Sequence, residues 1–342
     1  MRKSFLMICF LCILALVGCN KDKAKLIDKS TGKEVQMKVL RFEDVLFKQG
    51  QKDYRAYLMS NYNDYSPLFN TTLDNSAYYN QICQFVSDKE MQKTYQIVKK
   101  RYPSLDWVGQ GVTSAFGFLQ KDYPDIKIPK LYSLIIGPMD YNYAYEGKIV
   151  AQKGFIAFAI DIYSVSSLQK NRYYAQYPKY IQAMCDSAFI VSDIMSAYLK
   201  TVMFSNQADI EYNPSSTFCD IMIERGKFLY MLERIMPSCP LSNIFRYSPD
   251  QMDWVQKNEK KIWNFILSND LLYNKNRMDY MILTGEGPST KGIDGSPARL
   301  ADYIGYCIVK KYMKENNVTP TQLFQMQDSK IILNKSKYKP SK

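Results

Sequence analysis

Leu131-Tyr132-Ser133-Leu134-Ile135-Ile136 and Phe155-Ile156-Ala157-Phe158-Ala159-Ile160 are two short, almost uninterrupted apolar runs. Gly137-Pro138 closes the first and Gly154 opens the second, so both are bounded by residues that punctuate backbone structure. Such short runs, rich in aliphatic and aromatic side chains, read as buried strands. Asp161 ends the second run. Strand ends often carry functional groups, while an aspartate there can instead cap the backbone of the following turn; capping is the expectation. Upstream, Val35, Met37 and Val39 alternate with polar residues and predict a half-buried strand leading into Arg41-Phe42-Glu43-Asp44. Alternate residues share a strand face, so Arg41 and Glu43 are expected to form an internal ion pair.

The remainder of the chain has mainly helical periodicity. Ser87-Asp88-Lys89-Glu90 reads as a capping box, followed by Met91, Tyr95, Val98 and Tyr102 on one face and Lys99-Lys100-Arg101 at the negative end of the dipole. Ser248-Pro249-Asp250-Gln251 and Thr319-Pro320-Thr321-Gln322 share one design, with proline at the first helical position. Val191, Ile194, Met195, Tyr198 and Val202 form one apolar stripe; Ala301, Ile304, Gly305, Ile308 and Tyr312 form another. Gly305 inside its helix predicts close approach of a neighbouring element. With no internal repeat and no dividing linker, the expected architecture is a single α+β domain over residues 34–330, mostly helical with a small β-sheet.

The N-terminus has its own logic. Arg2 and Lys3 precede an apolar run from Phe5 to Val17, too short to span a bilayer, which needs about 20 residues. Leu16-Val17-Gly18-Cys19 then forms a lipobox, in which the small Gly18 leaves the peptide bond open to a signal peptidase and Cys19 takes the lipid. Residues 1–18 are expected to be a signal peptide and 19–33 a polar tether; the lysine-rich 331–342 are expected to be a solvated basic tail. Cys19 carries a covalent lipid, and no cofactor is expected. No aspartate directly follows Cys19, which favours outer-membrane sorting, and Asp22 between lysines is a poor surface-export signal, which favours the periplasmic face.

Composition narrows the chemistry. The 342 residues carry a net charge of +12, which in an exported protein points to acidic envelope surfaces rather than nucleic acid. There is no histidine, so Ser-His-Asp and Cys-His nucleophiles and histidine-ligated zinc are excluded. Beyond the N-terminal region, Cys83, Cys185, Cys219, Cys239 and Cys307 are irregularly spaced, expected mostly as small buried apolar residues with at most one or two bridges. Thr284-Gly285-Glu286-Gly287-Pro288-Ser289-Thr290-Lys291-Gly292 lacks the phosphate-loop pattern and reads as a flexible surface loop between helices. Trp254 and Trp263 have the spacing of core residues. Tyr141, Tyr143 and Tyr145, clustered in a polar stretch, are the weak candidates for a contact surface, together with Asp161.

Taken in order, these features resemble one family, the gliding-motility-associated lipoproteins called GldB of Bacteroidota. The resemblance rests on the lipobox, Arg41-Phe42-Glu43 with Leu46-Phe47, and the strand ending in Asp161-Ile162-Tyr163. It continues through Tyr177-Pro178-Lys179-Tyr180-Ile181, Gly226-Lys227-Phe228-Leu229-Tyr230 and Trp254 with Asn258-Glu259 and Ile262-Trp263. Pro297-Ala298-Arg299 leads to Tyr303-Ile304-Gly305-Tyr306 and Ile308-Val309. Pro-Gly-Arg is usual where Ala298 stands, and glycine where Ser164 stands. The family is also remotely similar to zincin peptidases, whose metal-binding helix would fall near Val191–Val202; nothing there can bind zinc, so the resemblance implies a degenerate, zincin-like scaffold. It implies a membrane-anchored, non-enzymatic component of an envelope machinery, with protein partners, tied to gliding and type IX secretion. The alternatives are an inactive or atypical peptidase-like protein binding peptides, and a glycan-binding surface lipoprotein.

Overall fold

The computed structural model describes residues 24–48, 50, 52–137, 147–208, 210 and 213–340. Gly18, Cys19, Tyr141, Tyr143 and Tyr145 lie outside the described residues. The architecture is α+β and mostly helical with a small sheet. A hairpin of β1 (Ile27–Asp28) and β2 (Lys33–Glu34) precedes a four-stranded sheet. The sheet comprises β3 (Val39–Arg41), β4 (Lys130–Leu134), β5 (Ile149–Gln152) and β6 (Phe155–Ala159), in the order β3-β4-β6-β5. β3, β4 and β6 run parallel, with Val39 opposite Leu131 and Leu131 opposite Ile156; β5 returns antiparallel at the edge. Both apolar runs are therefore strands, and Ile156 and Phe158 are fully buried on opposite faces of β6.

Three expectations near the N-terminus change. The strand begins only at Val39, because the Met37 N–H is taken by the Thr113 hydroxyl at 2.8 Å and not by a neighbouring strand. Arg41 and Glu43 do pair at 2.8 Å, but across a strand end, since a helix starts at Phe42. Residues 24–33 are no free tether: Leu26 is fully buried and Ile27 exchanges backbone hydrogen bonds with the Gln120 side chain.

The helical layer is organised around the pair Phe218–Ile235 and Leu300–Glu315. They touch backbone to backbone where Gly226 meets Gly305, and a Cβ on Gly305 would run into the Met222 carbonyl. The Ser248 and Thr319 capping boxes are present, each with proline at the first turn. At Lys89–Arg101 the cap is Asp88 instead of Ser87: its carboxylate accepts the N–H groups of Glu90 and Met91, and there is no capping box. Residues 331–340 are not a solvated tail. The helix Ser329–Ser336 packs on both central helices, buries Ile332, and is followed by Tyr338, which donates to Glu259 at 2.7 Å. The apolar content of Ile331-Ile332-Leu333, masked in composition by the surrounding lysines, drives that docking. All five described cysteines are free thiols. Among the described residues no helix is long and apolar enough to cross a membrane.

Candidate functional site

Asp161 ends β6 wholly buried. Its carboxylate accepts the Gly137 N–H at 3.0 Å, the Ile136 N–H at 3.3 Å and the Tyr174 hydroxyl at 2.8 Å. The backbone it holds follows β4, so it does not cap its own downstream turn. Burial raises its pKa to about 6, opposed by those three hydrogen bonds.

The larger polar assembly was not visible in the sequence. The helix Ile190–Tyr198 lies against β5 and β6 and presents Asp193 to Lys148, whose ammonium stands 2.7 Å away, and to the Tyr163 hydroxyl at 2.7 Å. Burial alone would raise Asp193, but Lys148 and Arg246 more than offset it and hold the carboxyl below its usual range. Arg246 stands 3.7 Å from both Asp193 and Glu286. Glu286 meets Arg299 at 2.9 Å; Arg299 meets Asp302 at 3.3 Å, and Asp302 meets Arg225 at 3.0 Å. The chain of alternating charges thus links β5, three helices and a loop. Asp302 is likewise held low: burial pushes it up, and Arg225 and Arg299 push it further down.

Local structure explains the convergence. Arg246 terminates the helix Leu241–Phe245 and Arg299 precedes Leu300–Glu315, both with left-handed backbone. Tyr247 joins them, donating to the Ala298 carbonyl at 2.6 Å, while Arg299 donates to the Phe245 carbonyl at 2.8 Å. The stretch 284–292, expected as a flexible surface loop, is anchored: Glu286 is in the ion-pair chain and buried Thr290 donates to the Pro297 carbonyl at 2.8 Å. Lys200 comes from the π-helical turn Leu199–Met203 that continues the Asp193 helix.

These groups line a cavity of about 190 Å³, with Ser192 and Ser196 on its floor. Arg246, Glu286 and Arg299 also line an adjoining cleft of about 630 Å³. This is the helix where the zincin resemblance would seat a metal. Its side chains face guanidinium and ammonium groups, which repel a divalent cation, and among the described residues no cluster of three or more metal-ligating side chains occurs. Sequence reasoning missed Lys148, Asp193, Arg225, Arg246, Glu286 and Asp302. One signal was available: Asp193 interrupts the apolar segment Phe189-Ile190-Val191-Ser192-Asp193-Ile194-Met195, and a charge there needs a buried partner.

The family model described as gliding motility protein GldB matches residues 22–340. No curated protein and no solved structure matches the chain.

Proposed function

We propose a role that proceeds from one premise: the chain belongs to the family of the gliding motility protein GldB. In this reading it is a lipoprotein tethered through Cys19 to the periplasmic face of the outer membrane. There it acts without catalysis, as a binding component of the gliding and type IX secretion machinery. One observation carries the non-catalytic part. Asp193, Glu286 and Asp302, the carboxylates nearest the cavity, are each ion-paired with arginine or lysine, so the groups suited to acid–base work serve instead to brace five chain segments. Tyr141, Tyr143 and Tyr145, between β4 and β5 in sequence, supply aromatic contacts of the kind that dominate protein interfaces.

The experiment compares wild type with Cys19→Ala in cells fed a labelled fatty acid, followed by cross-linking and recovery of partners from envelope membranes. Wild type should carry label and bring down machinery subunits; Cys19→Ala should do neither. Label in the mutant removes the lipid anchor from the proposal. Peptide hydrolysis by the purified protein removes the non-enzymatic assignment.

A further inference from the structure

Arg246 and Arg299 have backbone φ angles of 53° and 58°. A residue bearing a Cβ pays roughly 1–2 kcal/mol for that conformation, which glycine adopts freely. Strain of this kind collects at functional sites. Here both strained residues are arginines, and their guanidinium groups meet on Glu286 where the small cavity adjoins the larger cleft.

The charge balance points the same way. Lys200, Arg225, Arg246 and Arg299 line the cavity with Asp193, Glu286 and Asp302, and Lys148 stands behind Asp193. Among the described residues, cations therefore outnumber carboxylates in a concave, partly buried setting, which concentrates positive potential. A guanidinium pair presents parallel N–H donors that match a carboxylate. A dianionic phosphate would meet three carboxylates at close range, which favours the singly charged ligand. Beyond the arginines, the cleft wall is formed by Tyr180, Met184, Phe189, Tyr247 and Pro249, an apolar surface broad enough for several residues of extended chain.

We propose that this cleft binds the free C-terminal carboxylate of an extended peptide, seated between Arg246 and Arg299, with the preceding side chains along the apolar wall. The inference needs no membrane and stands apart from the family-based role.

The test uses detergent-solubilised full-length protein and two pools of random hexapeptides, one with free C-termini and one amidated, with retained peptides quantified by mass spectrometry. The free-acid pool should be retained about tenfold or more over the amidated pool, as truncating a buried charge pair typically costs that much or more. Arg246→Gln should abolish the difference while keeping the wild-type circular dichroism spectrum. Glu286→Gln, which removes the carboxylate competing for both arginines, should raise retention of the free acids. Equal retention of both pools overturns the proposal, as does unchanged or reduced free-acid retention by a folded Glu286→Gln protein. Displacement of the peptides by inorganic phosphate more effectively than by acetate also overturns it, by assigning the site to phosphate.

Discussion

Asp161 and Asp193 show how a buried carboxylate can be set in opposite directions. For Asp161, burial wins and its pKa rises from 3.8 to about 6, so the fold favours the neutral acid. A group raised in the folded state contributes stability that is fully present below its unfolded value and is lost as pH rises through the folded one. The loss should amount to about 3 kcal/mol at most, at 1.36 kcal/mol per unit. Urea midpoints should therefore fall between pH 5 and pH 7, and Asp161→Asn should flatten that slope; an undiminished slope rules Asp161 out as its source. Asp193 goes the other way, held low by Lys148 and Arg246, so its contribution is present above the ordinary carboxylate range and lost only in stronger acid. Lys148→Met leaves Asp193 buried against fewer cations and should cost about 3–5 kcal/mol. Adding Asp193→Leu should recover much of the loss, and denaturation of the single and double variants measures this directly.

At the scale of elements, the Gly226–Gly305 contact fixes how closely the two central helices approach. A helix interior normally gains roughly 0.5–1 kcal/mol when glycine becomes alanine. Gly305→Ala should have the opposite sign, losing about 1–3 kcal/mol, because the new methyl group meets the Met222 carbonyl and backbone cannot yield as a side chain does. A raised denaturation midpoint would contradict the contact. This glycine, both proline-led capping boxes and both buried strands were legible because each depends on residues a few positions apart. The charge chain was not, since Lys148 and Asp193, or Arg246 and Arg299, are brought together only by tertiary packing. The helix Ser329–Ser336 was missed for a different reason: its lysines dominate composition, while a single side chain, Ile332, carries its burial. Ile332→Ala should cost about 2–5 kcal/mol, a loss that chemical denaturation would read; an unchanged midpoint would return this segment to the status of a solvated tail.

For the whole molecule, that last helix closes the core instead of trailing from it. A chain ending at Gln327 should expose apolar surface on the helices Phe218–Ile235 and Leu300–Glu315 and become sensitive to limited proteolysis, while the full chain resists. The sheet makes an analogous demand on time. β3 pairs in parallel with β4, so Val39 finds Leu131 only after an intervening stretch of about 90 residues has been made and folded out of the way. β4 in turn waits for β6. During chain growth, the first strand of the sheet spends the longest interval with its hydrogen-bonding edge open, and high contact order makes the closing step slow. An N-terminal fragment stopping before Lys130 lacks any partner for Val39–Arg41, leaving a short, apolar, unpaired edge of the kind that recruits other chains. The parallel register that orders the mature sheet therefore also makes the nascent chain dependent on protection until β4 arrives.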